Sequence, residues 1–269
     1  MGTVYVVAPV FNEEGNIPRL LSDWRKLSDQ LALDRFVGIL VDDGSSDDTV
    51  VRAEECRAAL PVTILRLSPN QGPGAAFGSA FEHLAPLLEP DDVVVTTEGD
   101  NTSRIEVLCT MIARLRREQL DVVLASPHAY GGGFSDTNQV RILLSHGGSA
   151  FVRALLGLHG INTTSSFFRA HRASAIRALQ RRYGPRVIER AGFESMVELL
   201  VKCVALGFSI SEVAMRLDTS ARVGKSKMKV AKTFFGYLSL LRDKKRWSGA
   251  RCRRSQFCGD TPRSEIHEQ

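Results

Sequence analysis

Four short stretches of this chain carry residues whose types and spacing suit chemistry. An apolar run at residues 36–41 ends in Val41-Asp42-Asp43-Gly44-Ser45-Ser46-Asp47-Asp48-Thr49, so a strand delivers two carboxylates, a glycine and two hydroxyls to a loop. In open α/β sheets ligands bind outside the carboxyl ends of the strands, which puts Asp42 and Asp43 where a small molecule is read. The same residues also make an ordinary Asp-Gly turn, with Ser46 or Asp47 capping the next helix. A second acidic strand end, Glu98-Gly99-Asp100, tips the balance toward a site. Asn70-Gln71-Gly72-Pro73-Gly74 opens a helix with small residues whose backbone N–H groups can hold a phosphate. Arg222-Val223-Gly224-Lys225-Ser226-Lys227 supplies cations.

Two nucleotide motifs are close to these stretches and neither fits. Gly72, Gly74 and Gly78 are spaced one residue too far for a dinucleotide fingerprint, and they do not follow the first strand. Gly224-Lys225-Ser226 lacks the earlier glycine of a P-loop, because Thr219 stands there.

The elements that must position these groups alternate along the chain. Residues 3–9 form a β-branched first strand, broken by Phe11-Asn12-Glu13-Glu14-Gly15-Asn16, and Asn16 caps a helix with Pro18 in its first turn. Strand 36–41, a helix over 48–60 ended by Pro61, and strand 62–67 follow. Parallel strands need crossover helices, so this order predicts a mostly parallel, doubly wound α/β sheet. A helix running to about residue 88, strand 93–97, a Ser103/Glu106 capping box and strand 121–126 continue the pattern. The loop 127–138, with Gly131-Gly132-Gly133, reads as a lid or a disordered surface loop. A helix over 140–156, a short strand at 166–169, a helix after Arg172, another opened by Gly192-Phe193-Glu194, and a last strand at 209–217 complete the domain. The segment 228–247 is amphipathic, with Val230, Phe234, Phe235, Leu238 and Leu241 on one face among many cations. That is the pattern of an interfacial helix or of one packed on the domain with a basic outer face. Residues 248–269 read as a disordered tail.

Composition sets the remaining bounds. The chain has 269 residues, 43% hydrophobic and 24% charged, which is globular. No run is long enough to span a membrane and no secretory leader is evident, so a reducing, cytoplasmic setting is expected. The cysteines show no C-x-x-C pair. The net charge of +5 is a C-terminal feature: residues 222–254 hold twelve Lys or Arg against Asp243 alone. Such a block suits nucleotide, nucleic acid or anionic lipid, or a merely solvated helix.

Taken in order, these motifs resemble the family 2 inverting glycosyltransferases of GT-A fold, in particular the dolichyl- and polyprenyl-phosphate sugar synthases. The resemblance spans about residues 3–228 and rests on Ala8-Pro9-Val10-Phe11-Asn12-Glu13, the Asp42–Asp43 loop, Asn70-x-Gly72-x-Gly74, Glu98-Gly99-Asp100, Ser165-Ser166-Phe167-Phe168-Arg169, Gly192-Phe193-Glu194 and the Arg222 to Lys227 segment. It implies a single GT-A domain over residues 1–227 followed by a possible membrane-surface helix at 228–247. It implies that Pro9, Asn12, Glu13, Asp42, Asp43, Gly72 and Gly74 hold the nucleotide of a UDP- or GDP-sugar, Asp43 reaching the base or ribose. Asp100, with Glu98 where the family usually has Asp, would hold Mg²⁺ or Mn²⁺, which neutralises charge on the diphosphate leaving group. Arg222, Ser226 and Lys227 would touch phosphates. A polyprenyl phosphate acceptor is already ionised and needs no base; a hydroxyl acceptor needs one, and Glu194 is placed for it. Glu194 is equally a first-turn carboxylate favoured by the helix dipole. Nucleic acid is not an expected partner; a membrane surface is, with the enzyme peripheral on its cytoplasmic side. The rival readings are a dinucleotide oxidoreductase, which the Pro-Val-Phe-Asn end of the first strand disfavours, and a catalytically silent nucleotide-binding module.

Overall fold

The computed structural model describes residues 2–31, 35–57, 60–135, 139–224 and 230–248. Strand β1 (Thr3–Val10) is fully interior to the sheet, and its alternation sends Val4, Val6 and Ala8 to one face and Tyr5 and Val7 to the other. Each face therefore grows its own core. Helices α1 (Ile17–Gln30) and α4 (Val107–Arg117) cover the first face. The second is covered by α3 (Pro73–Leu84), α6 (Ala173–Tyr183), α7 (Ser195–Ala205) and the C-terminal α8 (Val230–Ser248). Buried Ile17, Leu20, Leu21, Trp24 and Leu27 keep the helical spacing expected of α1. Gly38 in β2 (Arg35–Asp42) leaves room for Trp24, since a Cβ there would lie 2.5 Å from the indole Cζ3.

The sheet order is β3-β2-β1-β4-β7-β5-β8, with β3 at Val62–Arg66, β4 at Val93–Thr96, β5 at Val122–Ser126, β7 at Arg169–Arg172 and β8 at Ile210–Ala214. All neighbours are parallel except β7, which runs antiparallel between β4 and β5. The strand order reverses between β1 and β4, and the polar loops after β1, β2 and β4 gather beside that point.

Several boundaries differ from the sequence expectation. The helix after β2, α2, is Thr49–Cys56 and stops short, its end turned by the Leu60 N–H on the Arg57 carbonyl. The short strand begins at Arg169, because the Phe168 N–H is taken by Ser166 Oγ (3.1 Å). The capping box is absent: α4 starts at Val107 and Ser103 Oγ donates to Glu98 instead. The last strand breaks at buried Met215 into β8 and β9 (Arg216–Asp218). The glycine-rich loop carries β6 (Gly133–Ser135), which pairs with β9, and so is a strap and not a free loop; residues 136–138 and 249–269 lie outside the described residues. Helix α5 (Gln139–Leu156) follows.

His171 on β7 is fully buried beside the Phe81 ring, and neither ring nitrogen meets a partner among the described residues. Burial, with the Arg169 charge second, pushes it down to about 3. Between that value and the ordinary ~6.5 the unfolded chain binds a proton that the folded chain refuses, so stability falls as pH drops below about 6.5. His171→Leu should be near wild type at pH 7. At pH 4.5 it should spare about 2–3 kcal/mol of the wild-type loss, read by urea denaturation at both pH values.

Candidate active site

At the end of β2 the two carboxylates part company. Asp43 Oδ1 accepts from Gln71 N and Oδ2 from Gly72 N, both at 2.7 Å, and its carbonyl accepts from Asn70 Nδ2 at 2.9 Å. Burial outweighs these amides and holds its carboxyl above the usual range. Both Asp43 oxygens are thus engaged by the loop after β3, at a residue that the resemblance placed at the base or ribose. Asp42 is different: Oδ1 accepts from Ser45 N (3.0 Å), while buried Oδ2 meets no hydrogen-bond donor among the described residues, the nearest cation being Arg66 Nε at 3.7 Å. An orphaned buried carboxylate oxygen is costly unless something donates to it.

Asn12 and Glu13 splice the first loop to the second. Asn12 N donates to Ser45 Oγ (2.9 Å), Asn12 Oδ1 accepts from Ser46 N (2.8 Å), and Glu13 N donates to Thr49 Oγ1 (2.7 Å). Asn12 takes φ 51°, which Asn tolerates better than most residues. Pro9 lines the crossing of β1 with residue 99, where a Cβ would lie 2.6 Å from its carbonyl oxygen.

After β4 the pair splits again. Asp100 Oδ2 accepts from Arg222 through Nε (2.7 Å) and Nη2, and Oδ1 accepts from Thr102 Oγ1 (2.6 Å) and N (3.1 Å). Glu98 turns inward, accepting from Ser103 Oγ and from Phe167 N (3.3 Å). Desolvation, then the Asp100 charge, pushes its carboxyl up. Its oxygens tie Ser103 and the Phe167 backbone together, so the residue that the resemblance placed at the metal is engaged by the scaffold here. No group of three or more acidic, His or Cys side chains converges among the described residues. Asp100 alone fits a hard cation that arrives with most of its ligands from a diphosphate and water, as Mg²⁺ characteristically does.

Arg222 is aimed by a residue read from sequence only as a cap. Buried Asn16 caps nothing with its side chain; Oδ1 accepts from Val223 N (2.9 Å) and Nδ2 donates to the Val223 carbonyl (3.1 Å). The Asn16 carbonyl accepts from Asn101 Nδ2 (2.9 Å). Ser226 and Lys227 lie outside the described residues.

Gly72 and Gly74 serve packing where a phosphate cradle was expected. Their N–H groups are spent on Asp43 and on the Ala191 carbonyl (2.8 Å), and a Cβ on Gly74 would collide with the Arg190 carbonyl and lie 2.6 Å from Ser195 Cβ. They seat the 190–195 segment, which carries Glu194 at the start of α7. Phe193 stacks on Phe167 at 5.5 Å, joining Glu194 to the Glu98 side of the site. No sequence signal marked Asn101, Thr102 or Tyr237 of α8, whose hydroxyl shares a hydrogen bond with Ser165.

A mostly parallel sheet with acidic strand ends at its switch point is the architecture of the GT-A class of α/β folds. The chain belongs to glycosyl transferase family 2, whose model matches residues 5–179, and it is a glycosyltransferase. It is 27% identical to the dolichol-phosphate mannosyltransferase of Pyrococcus furiosus over 91% of this chain, spanning 64% of that protein's length. It is 28% identical to the undecaprenyl-phosphate mannosyltransferase of Micrococcus luteus, over 84% of this chain and 87% of that one. The fold matches glucosyl-3-phosphoglycerate synthase from Mycobacterium tuberculosis, solved with Mn²⁺, UDP and phosphoglyceric acid, at TM-score 0.63 and 18% identity over 92% of this chain and 78% of that one. Family membership sets the oxidoreductase reading aside.

The two readings of the glycines separate by mutation. Gly74→Ala should cost about 1–3 kcal/mol by overpacking, whereas Gly78→Ala, whose Cβ would meet nothing closer than 3.8 Å, should be neutral or stabilising. Urea denaturation measures both; a phosphate-cradle role would instead leave Gly74→Ala stable and weaken nucleotide binding.

Proposed function

We propose that this enzyme transfers a sugar, with inversion, from a nucleotide-sugar to a polyprenyl phosphate at a membrane surface. The observation that carries the donor half is Asp100 at the switch point, held against Arg222. Asp100 would hold Mg²⁺ or Mn²⁺, and Arg222 moves from Asp100 to the diphosphate, where a bidentate guanidinium suits phosphate oxygens. The cation, when bound, stabilises negative charge on the leaving diphosphate. An acceptor phosphate oxygen forms the new bond to the anomeric carbon as the bond to the diphosphate breaks, and the electron pair leaves with the nucleotide. No proton has to be removed. The relatives named for dolichol- and undecaprenyl-phosphate support this acceptor class.

Helix α8 supports the membrane half. Leu240 and Trp247 bury inward, while Phe235 (68% exposed), Leu238 and Leu241 face outward beside exposed Arg242, Lys245 and Arg246. No helix among the described residues is long and apolar enough to cross a membrane. Each cation near an anionic surface contributes about 1 kcal/mol, screened by salt, so docking is reversible and peripheral, on the cytoplasmic leaflet.

Asp100→Asn should abolish Mn²⁺-dependent binding of nucleoside diphosphate by calorimetry. Arg222→Ala should weaken it by roughly 1.5–3 kcal/mol while the melting temperature holds. Unchanged binding in Asp100→Asn rejects the metal assignment. A combined Phe235→Ser, Leu238→Ser, Leu241→Ser variant should lose flotation with anionic liposomes and transfer to polyprenyl phosphate, yet keep nucleotide binding. A panel of UDP- and GDP-sugars against polyprenyl phosphate and soluble hydroxyl acceptors decides the substrates; transfer only to a hydroxyl, lost in Glu194→Gln, would replace the lipid-phosphate reading with base catalysis.

A further inference from the structure

We infer that α8 is a wall of the acceptor side of the active site, and that Gly236 and Tyr237 on it are positioning residues for Glu194. The inference rests on the glycosyl-transfer reading of the site; the contact between α8 and Glu194 does not depend on the acceptor, whereas its effect on turnover belongs to a hydroxyl acceptor that needs Glu194 as base. Its first support is a close approach. A Cβ on Gly236 would lie 2.9 Å from Glu194 Oε2, 3.0 Å from Cδ and 3.2 Å from Cγ, so the Glu194 side chain occupies the space a larger residue on α8 would need. Gly192 is crowded by the same carboxylate from the other side. Glycine in a helix interior costs roughly 0.5–1 kcal/mol against alanine, so its presence at 236 needs a reason, and the carboxylate is one.

The next residue supplies a polar contact. The Tyr237 hydroxyl is hydrogen-bonded to Ser165, and burial first, then the Glu194 charge, pushes the phenol up. A neutral phenol beside a carboxylate can fix that carboxylate or a ligand oxygen by donation. Ser165 stands two residues before Phe167, whose N–H is held by Glu98 and whose ring stacks on Phe193. Tyr237 therefore contacts the 165–167 segment, whose Phe167 ring stacks on Phe193 next to Glu194.

The far half of α8 grips the same loop. Arg190 pairs with Asp243, Arg246 with Glu189, and Trp247 Nε1 donates to Glu189 Oε1 at 3.0 Å. Lys202, fully buried, lies 4.9 Å from the ring centroids of both Trp247 and Tyr183 and donates to Glu189 Oε1 (3.0 Å) and Glu198 Oε1 (2.6 Å). Residues 189–194 are thus clamped to α8 at both ends, at Glu189 and Arg190 by the C-terminal turns and at Glu194 by Gly236. Earlier turns of the same helix carry exposed Phe235, Leu238 and Leu241. One helix presents an apolar surface outward and sets a candidate active-site carboxylate inward, so whatever seats α8 also seats Glu194.

The test is a mutant cycle between Gly236→Ala and Glu194→Asp, with Tyr237→Phe measured separately. A displacement near 1 Å at a reacting site can cost on the order of a hundredfold, so with a hydroxyl acceptor, for which Glu194 is the base, Gly236→Ala should lower kcat by about ten- to a hundredfold. With a phosphate acceptor, which needs no base, turnover should hardly change and the cycle is read by urea denaturation. The variant's melting temperature and its Mn²⁺-dependent binding of nucleoside diphosphate should stay near wild type. In the Glu194→Asp background the shorter carboxylate withdraws, and adding Gly236→Ala should then cost less than about twofold, the non-additivity expected of groups in contact. Tyr237→Phe should reduce kcat/KM for the acceptor while leaving KM for the donor unchanged. Equal effects of Gly236→Ala in both backgrounds, or a fall in melting temperature with unchanged turnover per folded molecule, would overturn the inference. If Glu194→Asp is inactive, the same cycle read by urea denaturation decides the contact, and additivity there rejects it. Running the kinetic cycle with polyprenyl phosphate and with a soluble hydroxyl acceptor separates the questions. Which acceptor turns over tests the proposed function; whether positions 194 and 236 couple tests the role of α8.

Discussion

One buried amide decides where the loops of this site meet. Asn16 gives its side-chain oxygen and nitrogen to the backbone of Val223 and its carbonyl to Asn101, while its own N–H bonds back to Glu13. Burying an amide is unfavourable unless its hydrogen bonds are made, and here three loops from distant parts of the sequence make them. The first loop, the acidic loop after β4 and the basic segment before α8 are therefore held in one register. Arg222 is presented to Asp100 by its neighbour Val223, whose backbone N–H and carbonyl are both bonded to Asn16. A residue that looks like a helix cap is instead the joint between the acidic and the cationic halves of the site.

A second, mainly charged, joint holds the other side. Glu198 and Lys202 are one helical turn apart in α7 and both fully buried, with the Glu198 oxygens also accepting from Glu189 N and Arg190 N at 2.8 Å. Two buried charges are tolerable only when nearly every donor and acceptor is used, and this pair meets that condition by recruiting backbone from the 187–190 loop and the rings of Tyr183 and Trp247. The arrangement fixes geometry more than it adds stability. It anchors the loop that leads to Glu194 and the end of α8 to the same point of the core.

The sequence carried the architecture well because periodicity is a property of long segments. The apolar spacing of Ile17, Leu20, Leu21, Trp24 and Leu27 needs no tertiary information, and the β-α alternation before Thr97 implies a parallel sheet. What escaped depends on long-range partners. The antiparallel β7 was invisible because a four-residue strand has no signature of direction. The capping box at Ser103 failed because Glu98 competes for the hydroxyl. The glycines at 72 and 74 look alike whether they admit a phosphate or a neighbouring chain, and only the position of residues 190–195 distinguishes the two. Helix α8 gave the opposite difficulty: it packs on the domain through Leu240 and Trp247, as one of its sequence readings expected, and its exposed Phe235, Leu238 and Leu241 are what the interfacial reading would also require.

The carboxylates illustrate why residue type alone could not assign roles. At each acidic strand end two anions stand within three residues, and two charges at that spacing cannot both face one ligand without raising each other's cost of ionisation. The fold resolves the conflict the same way twice. Asp43 and Glu98 are turned into the protein, where backbone N–H groups of residues 71, 72 and 167 satisfy them and their loops gain rigidity. Asp42 keeps a buried oxygen that meets no hydrogen-bond donor among the described residues, and Asp100 is matched by Arg222. Glutamate at 98 suits the inward role, because the extra methylene lets the carboxylate reach the N–H of Phe167 across the sheet edge. The departure from the aspartate usual in this family therefore belongs to the scaffold side of the pair. Asp100, which faces the site, keeps the family's residue, so the departure at 98 leaves the cation-holding position of the proposed reaction unchanged.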